Sequence, residues 1–194
     1  MDSIIGCVGK DFAVLIADAT QARSILTYKH DEDKIVHLSK SVMAAAAGEH
    51  GDRIQFTEYV QKNIALHELR TDMTLDTHSA AHYTRRELAT ALRKNPYNVN
   101  LLLAGWDADA GASLYFLDYM SSMQKMNFAA HGYAGYFCYS LLDRHWKAGM
   151  SLEEATALMG KCVTELRTRF MLHQPKFVLK VVDKDGIRTE EFAP

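Results

Sequence analysis

The sequence predicts an α+β fold: two antiparallel sheets packed face to face, with a pair of helices over the outer side of each. Three observations carry this. Apolar runs come in pairs joined by tight polar turns: Ser3 to Val8 with Phe12 to Ala17, Val99 to Trp106 with Ser113 to Tyr119, and Phe177 to Val182 with Ile187 to Phe192. That is the hairpin signature. Helical periodicity also comes in pairs, in the order strands, two helices, two strands, two helices, two strands, which excludes a simple alternating parallel sheet. Finally, 194 residues with 48% hydrophobic content are enough to enclose a core as one domain, residues 1–194.

Taken in order, the first hairpin turns at Gly9-Lys10-Asp11 and its second strand stops at Asp18. Both strands are apolar throughout, so both faces are expected to be covered. Ser24 to Lys29 and Ile35 to Leu38 read as short strands around the polar turn His30 to Lys34. Val42 to Ala47, ended by Gly48, is taken as a buried strand despite the helical propensity of its four alanines. Gly51-Asp52 opens a first helix with Phe56, Tyr59, Val60, Asn63, Ile64 and His67 at three- and four-residue steps. A second helix starts with Asp76 as N-cap, carries Ala81, Leu88 and Leu92, and must stop before Asn95-Pro96. After the second hairpin, Phe128 to Gly135 is rich in small residues, as where backbone crowds backbone. A third helix over Tyr136 to Lys147 is apolar almost all round, which predicts burial between layers. Ser151-Leu152-Glu153-Glu154 is a capping box opening a fourth helix to Phe170. Asp183 to Gly186 turns the last hairpin.

Composition narrows the function. Charged residues are 24% of the chain, so the sequence is not that of a disordered segment. The formal net charge is −2 with no basic block, which gives nucleic-acid binding no electrostatic support. Cys7, Cys138 and Cys162 have no metal or redox spacing and sit in apolar stretches, so reduced thiols and a cytoplasmic or nuclear protein are expected. Neither a signal peptide nor a membrane span is expected.

Gly6, the turn at Gly9 to Asp11, the Ala17-Asp18 pair and Lys34-Ile35 together resemble the β subunits of the 20S proteasome, which have the N-terminal-nucleophile hydrolase fold. The likeness runs nearly end to end. Its type-4 members are the more specific match, through GEHGDRIQFTEYVQKN, YTRRELATALR, YNVNLLLAGWD, LYFLDY, FAAHGY and RFMLHQPKF. The resemblance implies a four-layer α-β-β-α sandwich. It also implies a list of catalytic parts: an N-terminal Thr whose own amine is the base, an Asp and a Lys that favour the unprotonated amine, and later Ser and Asp positions.

Carried across, the Asp and Lys are present as Asp18 and Lys34, expected to form a structural ion pair. The others are replaced. Asp2 falls on the nucleophile position, with Ser3 one place later. Tyr133 falls where a Ser belongs, and Phe170 and His173 stand at the late Asp and Ser positions, with Gln174-Pro175 replacing two glycines. No propeptide is expected ahead of Met1-Asp2, and Asp2 is too large for ordinary Met removal, so Met1 is expected to stay. The expectation is a β subunit without peptidase activity.

Other candidate sites are weaker. Cys7 as nucleophile with His131 or His173 as base is set against a plain buried strand cysteine, which is preferred. His78 and His82, four apart on a helix, lack the Glu of a metalloprotease motif and an obvious third ligand, so no metal and no cofactor is expected. Met120, Met123 and Met126 suit either a contact surface or the core. Arg85-Arg86 reads as a solvated helix face, and Lys10 and Asp11 as turn residues.

The resemblance implies an architectural role in a barrel of stacked rings that degrades ubiquitin-tagged proteins. The expected partners are type-3 and type-5 β subunits in the ring, α subunits of the adjacent ring, and the opposite β ring. Trp106, Tyr115, Tyr119 and Met120 to Met126 are the expected exposed contact surface. The alternative is an active hydrolase using Cys7 or Ser3; a free-standing binding module fits the end-to-end likeness less well.

Overall fold

The computed structural model describes residues 1–24 and 26–192. In chain order the elements are β1 (Ser3–Val8), β2 (Ala13–Asp18), β3 (Gln21–Arg23), β4 (Leu26–Lys29), β5 (Ile35–His37), β6 (Val42–Gly48), α1 (His50–Thr71) and α2 (Thr77–Leu92). There follow β7 (Val99–Asp107), β8 (Gly111–Leu117), β9 (Met123–Met126), β10 (Phe128–Gly132), α3 (Tyr133–His145), α4 (Leu152–Arg169), β11 (Phe177–Asp183) and β12 (Gly186–Glu190). One antiparallel sheet runs β10-β1-β2-β11-β12 and the other β5-β6-β7-β8-β9.

The two sheets share a core of Ile4, Leu15, Ala17, Met43, Ala45, Leu102, Leu114 and Val182. The outer face of the first sheet packs Ile5, Val14 and Ile16 on Cys138, Leu142, Met159 and Leu166 of α3 and α4. The outer face of the second packs Ala44, Ala46, Leu101 and Leu103 on Phe56, Val60, Ile64 and Leu88 of α1 and α2. Helix pair, sheet, sheet, helix pair is the expected sandwich. It also explains the four alanines of β6: alternate residues point to opposite faces, so Ala45 and Ala47 meet one layer while Ala44 and Ala46 meet another. Small side chains on both faces let three layers close around one strand.

The helix ends follow their predicted chemistry. Asp76 caps α2 by accepting from the Ser79 amide, and Ser151 and Glu154 form the reciprocal capping box of α4. The start of α1 differs slightly: Glu49 is its N-cap and accepts from the Asp52 amide.

Four expectations are corrected. The segment expected as one strand from Ser24 to Lys29 gives only β4, which pairs with β3 in a separate ribbon rather than with β5. All of β4 is exposed, so no buried face specified its register; Ile25 lies outside the described residues. Where two strands are expected between the helix pairs there are four, β9 following β8 on the second sheet and the small-residue stretch forming β10 against β1. Helix α3 begins three residues earlier than expected and is not buried between layers. Only Ala134, Cys138 and Leu142 are buried, and Tyr136 is 86% exposed. Tyr115, expected at the surface, is buried, because it faces α2 from β8, where its hydroxyl meets His78 Nδ1 at 3.2 Å. Trp106 is half-buried, whereas Tyr119 and Met120 are exposed.

Candidate functional site: a buried lysine between two aspartates

The last residue of β2 and the residue before β5 meet where β1 begins. Asp18 ends an apolar strand with its side chain fully enclosed, and Lys34 is equally enclosed. A charge in such a place must be paired and hydrogen-bonded. Lys34 Nζ donates to Asp18 Oδ2 at 2.9 Å, to Asp2 Oδ1 at 2.6 Å and to the Thr20 carbonyl at 2.8 Å. An ammonium has three protons, and all three are used. Asp18 in turn accepts from the backbone amides of Ser3 (2.7 Å) and Thr20 (3.1 Å). Asp2 Oδ2 accepts from the Gly48 amide at 2.9 Å.

The two carboxyls shift in opposite directions although they share one ammonium. At Asp18 burial is the largest influence and pushes the carboxyl up, against the pull of Lys34. At Asp2 burial also works upward, but Lys34 and the Gly48 amide together outweigh it and the value falls below the usual range. The difference follows enclosure: the Asp2 side chain retains 12% exposure and Asp18 none. All the partners of Asp18 are donors, so it is held as the carboxylate near neutrality.

The Asp2 backbone is fixed as firmly as its side chain. The Tyr133 amide, first in α3, donates to the Asp2 carbonyl at 3.0 Å. Gly132 sits opposite Ser3 in the β1–β10 register with φ +68°, and a Cβ there would collide with the Asp2 carbonyl. This is the crowding that the small residues foretold, and only glycine satisfies it.

Two further ion pairs flank the lysine. Arg53 Nη2 donates to Glu32 Oε1 at 2.5 Å, with His50 Nδ1 at 3.1 Å from the same guanidinium nitrogen. Lys180 reaches Asp33 Oδ2 at 2.6 Å and the Ile35 carbonyl at 2.8 Å. Sequence reading missed both, although signals existed. Lys180 interrupts the apolar strand FVLKVV, and Arg53 lies on the stripe that continues through Phe56, Thr57, Val60 and Ile64. Beside the cluster a cavity of about 520 Å3 opens, with Asp2, Gly48, Glu32, His50, Arg53 and Tyr28 in its wall.

The side chains of the other sequence-selected residues lie apart from this cluster or beside it without a polar contact to it, although the Ser3 and Tyr133 backbone amides bond Asp18 and Asp2. Tyr133 stacks on Phe170 with centroids 4.6 Å apart; Phe170 is buried and His173 exposed. Cys7 faces the layer of α3 and α4, and burial pushes its thiol up to about 12. His131 instead stacks on Phe116, which packs on the core between the sheets, so it does not meet Cys7. The Ser3 hydroxyl is buried and has no hydrogen-bond partner among the described residues. His78 and His82 stack at 4.3 Å, and no group of three metal-ligating side chains occurs among the described residues. Arg85 and Arg86 are exposed, though Arg85 Nε donates to the Ser121 carbonyl. Chemically, the arrangement holds charges still; at its edge the Thr20 hydroxyl lies 3.3 Å from His30 Nδ1.

Residues 2–182 match the family model described as proteasome subunit. The chain is 52% identical to proteasome subunit beta type-2-B of Arabidopsis thaliana, over 97% of this chain and 94% of that protein. It is 46% identical to proteasome subunit beta type-2 of Dictyostelium discoideum, over 99% and 98%. It is 38% identical to proteasome subunit beta type-4 of Saccharomyces cerevisiae, over 97% and 96%. Type-2 and type-4 names therefore both attach to its relatives.

Proposed function

The chain belongs to the proteasome β-subunit family, and on that premise we propose that it is a non-catalytic, structural β subunit of the 20S core particle. As a family member it assembles with other proteasome subunits. The observation that carries the non-catalytic reading is the state of Asp2. It stands at the position where, by resemblance, active members carry the nucleophile, and both its carboxylate oxygens are tied down, to Lys34 and to Gly48. A carboxylate held below its usual pKa by an ammonium is a poor nucleophile and has no proton for a base to remove. Tyr133, Phe170 and His173 at the later positions support the same reading.

In this reading Lys34 and Asp18 are a framework rather than a catalytic pair. They tie the start of β1 to the ends of β2 and β6, so a ring subunit keeps its shape under load from its neighbours. Large exposed apolar side chains fit a chain that is covered on assembly: Leu69 is 84% exposed, Tyr136 86% and Met171 79%. The finer proposal puts the chain in the type-4 place. Its neighbours there are type-3 and type-5 β subunits, with α subunits on one side and the opposite β ring on the other. The particle would act in ubiquitin-dependent protein degradation in the cytoplasm and nucleus.

The test is to tag the C-terminus, purify the native particle, and measure its mass, its subunit composition and the intact mass of this chain. The same particle is then treated with an electrophilic peptide probe. The expected result is a large assembly of about fourteen kinds of related subunit, with probe on other β subunits and none on this chain. An adduct on this chain, or a mature chain that begins at Ser3, would overturn the non-catalytic reading.

A further inference from the structure

We propose that Lys34 and the Gly48 amide form a carboxylate-binding cradle that this chain fills in cis with its own Asp2. The inference deepens the non-catalytic reading and rests on it in treating Asp2 as an occupant rather than a reactant.

The two donors belong to different segments, and each is fixed without help from Asp2. Lys34 is held by Asp18 and the Thr20 carbonyl. Gly48 ends β6 in register with Val99, and the next amide, Glu49, donates to the Asn98 carbonyl at 2.9 Å. Gly48 has φ +146°, and a Cβ there would strike the Asn98 carbonyl, so the direction of its amide is set by a conformation that glycine alone adopts easily. The two donors are therefore preorganised, one charged and one neutral, and they take one carboxylate oxygen each at 2.6 and 2.9 Å. A charge-assisted bond together with a backbone N–H is a common way to hold a carboxylate.

Access runs from the 520 Å3 cavity, whose wall includes both Asp2 and Gly48. Asp2 is partly exposed, whereas Lys34 behind it has no exposure. Any carboxylate that enters the cavity, the C-terminus of a peptide included, thus finds the cradle closed by Asp2. Shortening that side chain leaves the donors in place and opens the route to them. The ligand class is a small monocarboxylate.

The test uses the purified particle carrying Asp2→Ala in this chain, with melting of that chain followed in sodium acetate, sodium formate or sodium chloride at equal ionic strength. The variant should melt lower than the native chain in chloride. At about ten times its dissociation constant, a bound carboxylate favours the folded form about elevenfold, a gain of about 3–5 °C for a chain of this size. Acetate and formate should restore the variant by that amount and leave the native chain unchanged, and density for acetate should appear between Lys34 and Gly48. Equal responses to chloride and acetate would overturn the cradle, as would an equal acetate gain in the native chain. If Asp2→Ala does not assemble, Asp2→Asn decides: it keeps the shape and loses the charge, so it must melt lower than native, and an unchanged melting point overturns the proposal. A probe adduct on the native chain would defeat the non-catalytic reading and leave this result standing; absent rescue would do the reverse.

Discussion

Removing the Lys34 ammonium is the most direct test of what holds this site together. In Lys34→Met the stem is nearly preserved and three hydrogen bonds disappear, to Asp2, Asp18 and the Thr20 carbonyl. Asp2 can turn its carboxylate toward the adjoining cavity and recover water. Asp18 cannot, since its side chain has no exposure and keeps only two backbone amides. Breaking a buried pair in this way costs about 3–5 kcal/mol, because the remaining charge is uncompensated. At about 2–4 °C per kcal/mol for a domain of this length, the melting point should fall by about 10 °C. The assay is thermal unfolding of the tagged chain, with its yield in the assembled particle as a second readout. Asp18→Asn combined with Lys34→Met supplies the control. If the loss comes from a stranded charge, the double variant should be more stable than the two single losses predict, by about 0.5–3 kcal/mol. A fall of under 2 °C in Lys34→Met, or strict additivity in the double variant, would refute the argument.

Two further outcomes follow from the same geometry. His131 is buried against Phe116, and burial lowers its imidazole to about 4 from the usual 6.5. Its folded pKa lies below its unfolded one, so its contribution is intact above pH 6.5 and is lost as pH falls from 6.5 toward 4. By linkage that loss is about 2 kcal/mol at pH 5. His131→Phe keeps the stack and should flatten the pH dependence of unfolding between pH 7 and 5 by that amount; parallel curves would contradict it. Gly132→Ala places a Cβ against the Asp2 carbonyl at positive φ. It should displace the start of β1 and cut incorporation into the particle severalfold, as measured by native gel, while Gly160→Ala in α4, where a Cβ meets nothing and φ is not positive, should have a far smaller effect.

The residues alone determined the layers. Hairpin turns, paired helices, the capping box at Ser151 and the Asp76 cap depend on neighbours a few positions away, so local sequence states them. The resemblance selected Asp18 and Lys34, sixteen residues apart, and marked Asp2 as a replaced position. Only the tertiary structure decided that Asp2 is a partner of that pair. The Lys34 and Gly48 donors come from segments 32 and 46 residues away along the chain, and no periodicity links positions so separated. The same reason hid Glu32–Arg53 and Asp33–Lys180, and it misplaced Tyr115 and α3. An apolar run announces that a face is covered, but whether core, helix or solvent lies against it is settled when the layers close. The sequence determined which side chains must find partners, and packing determined which partners they found.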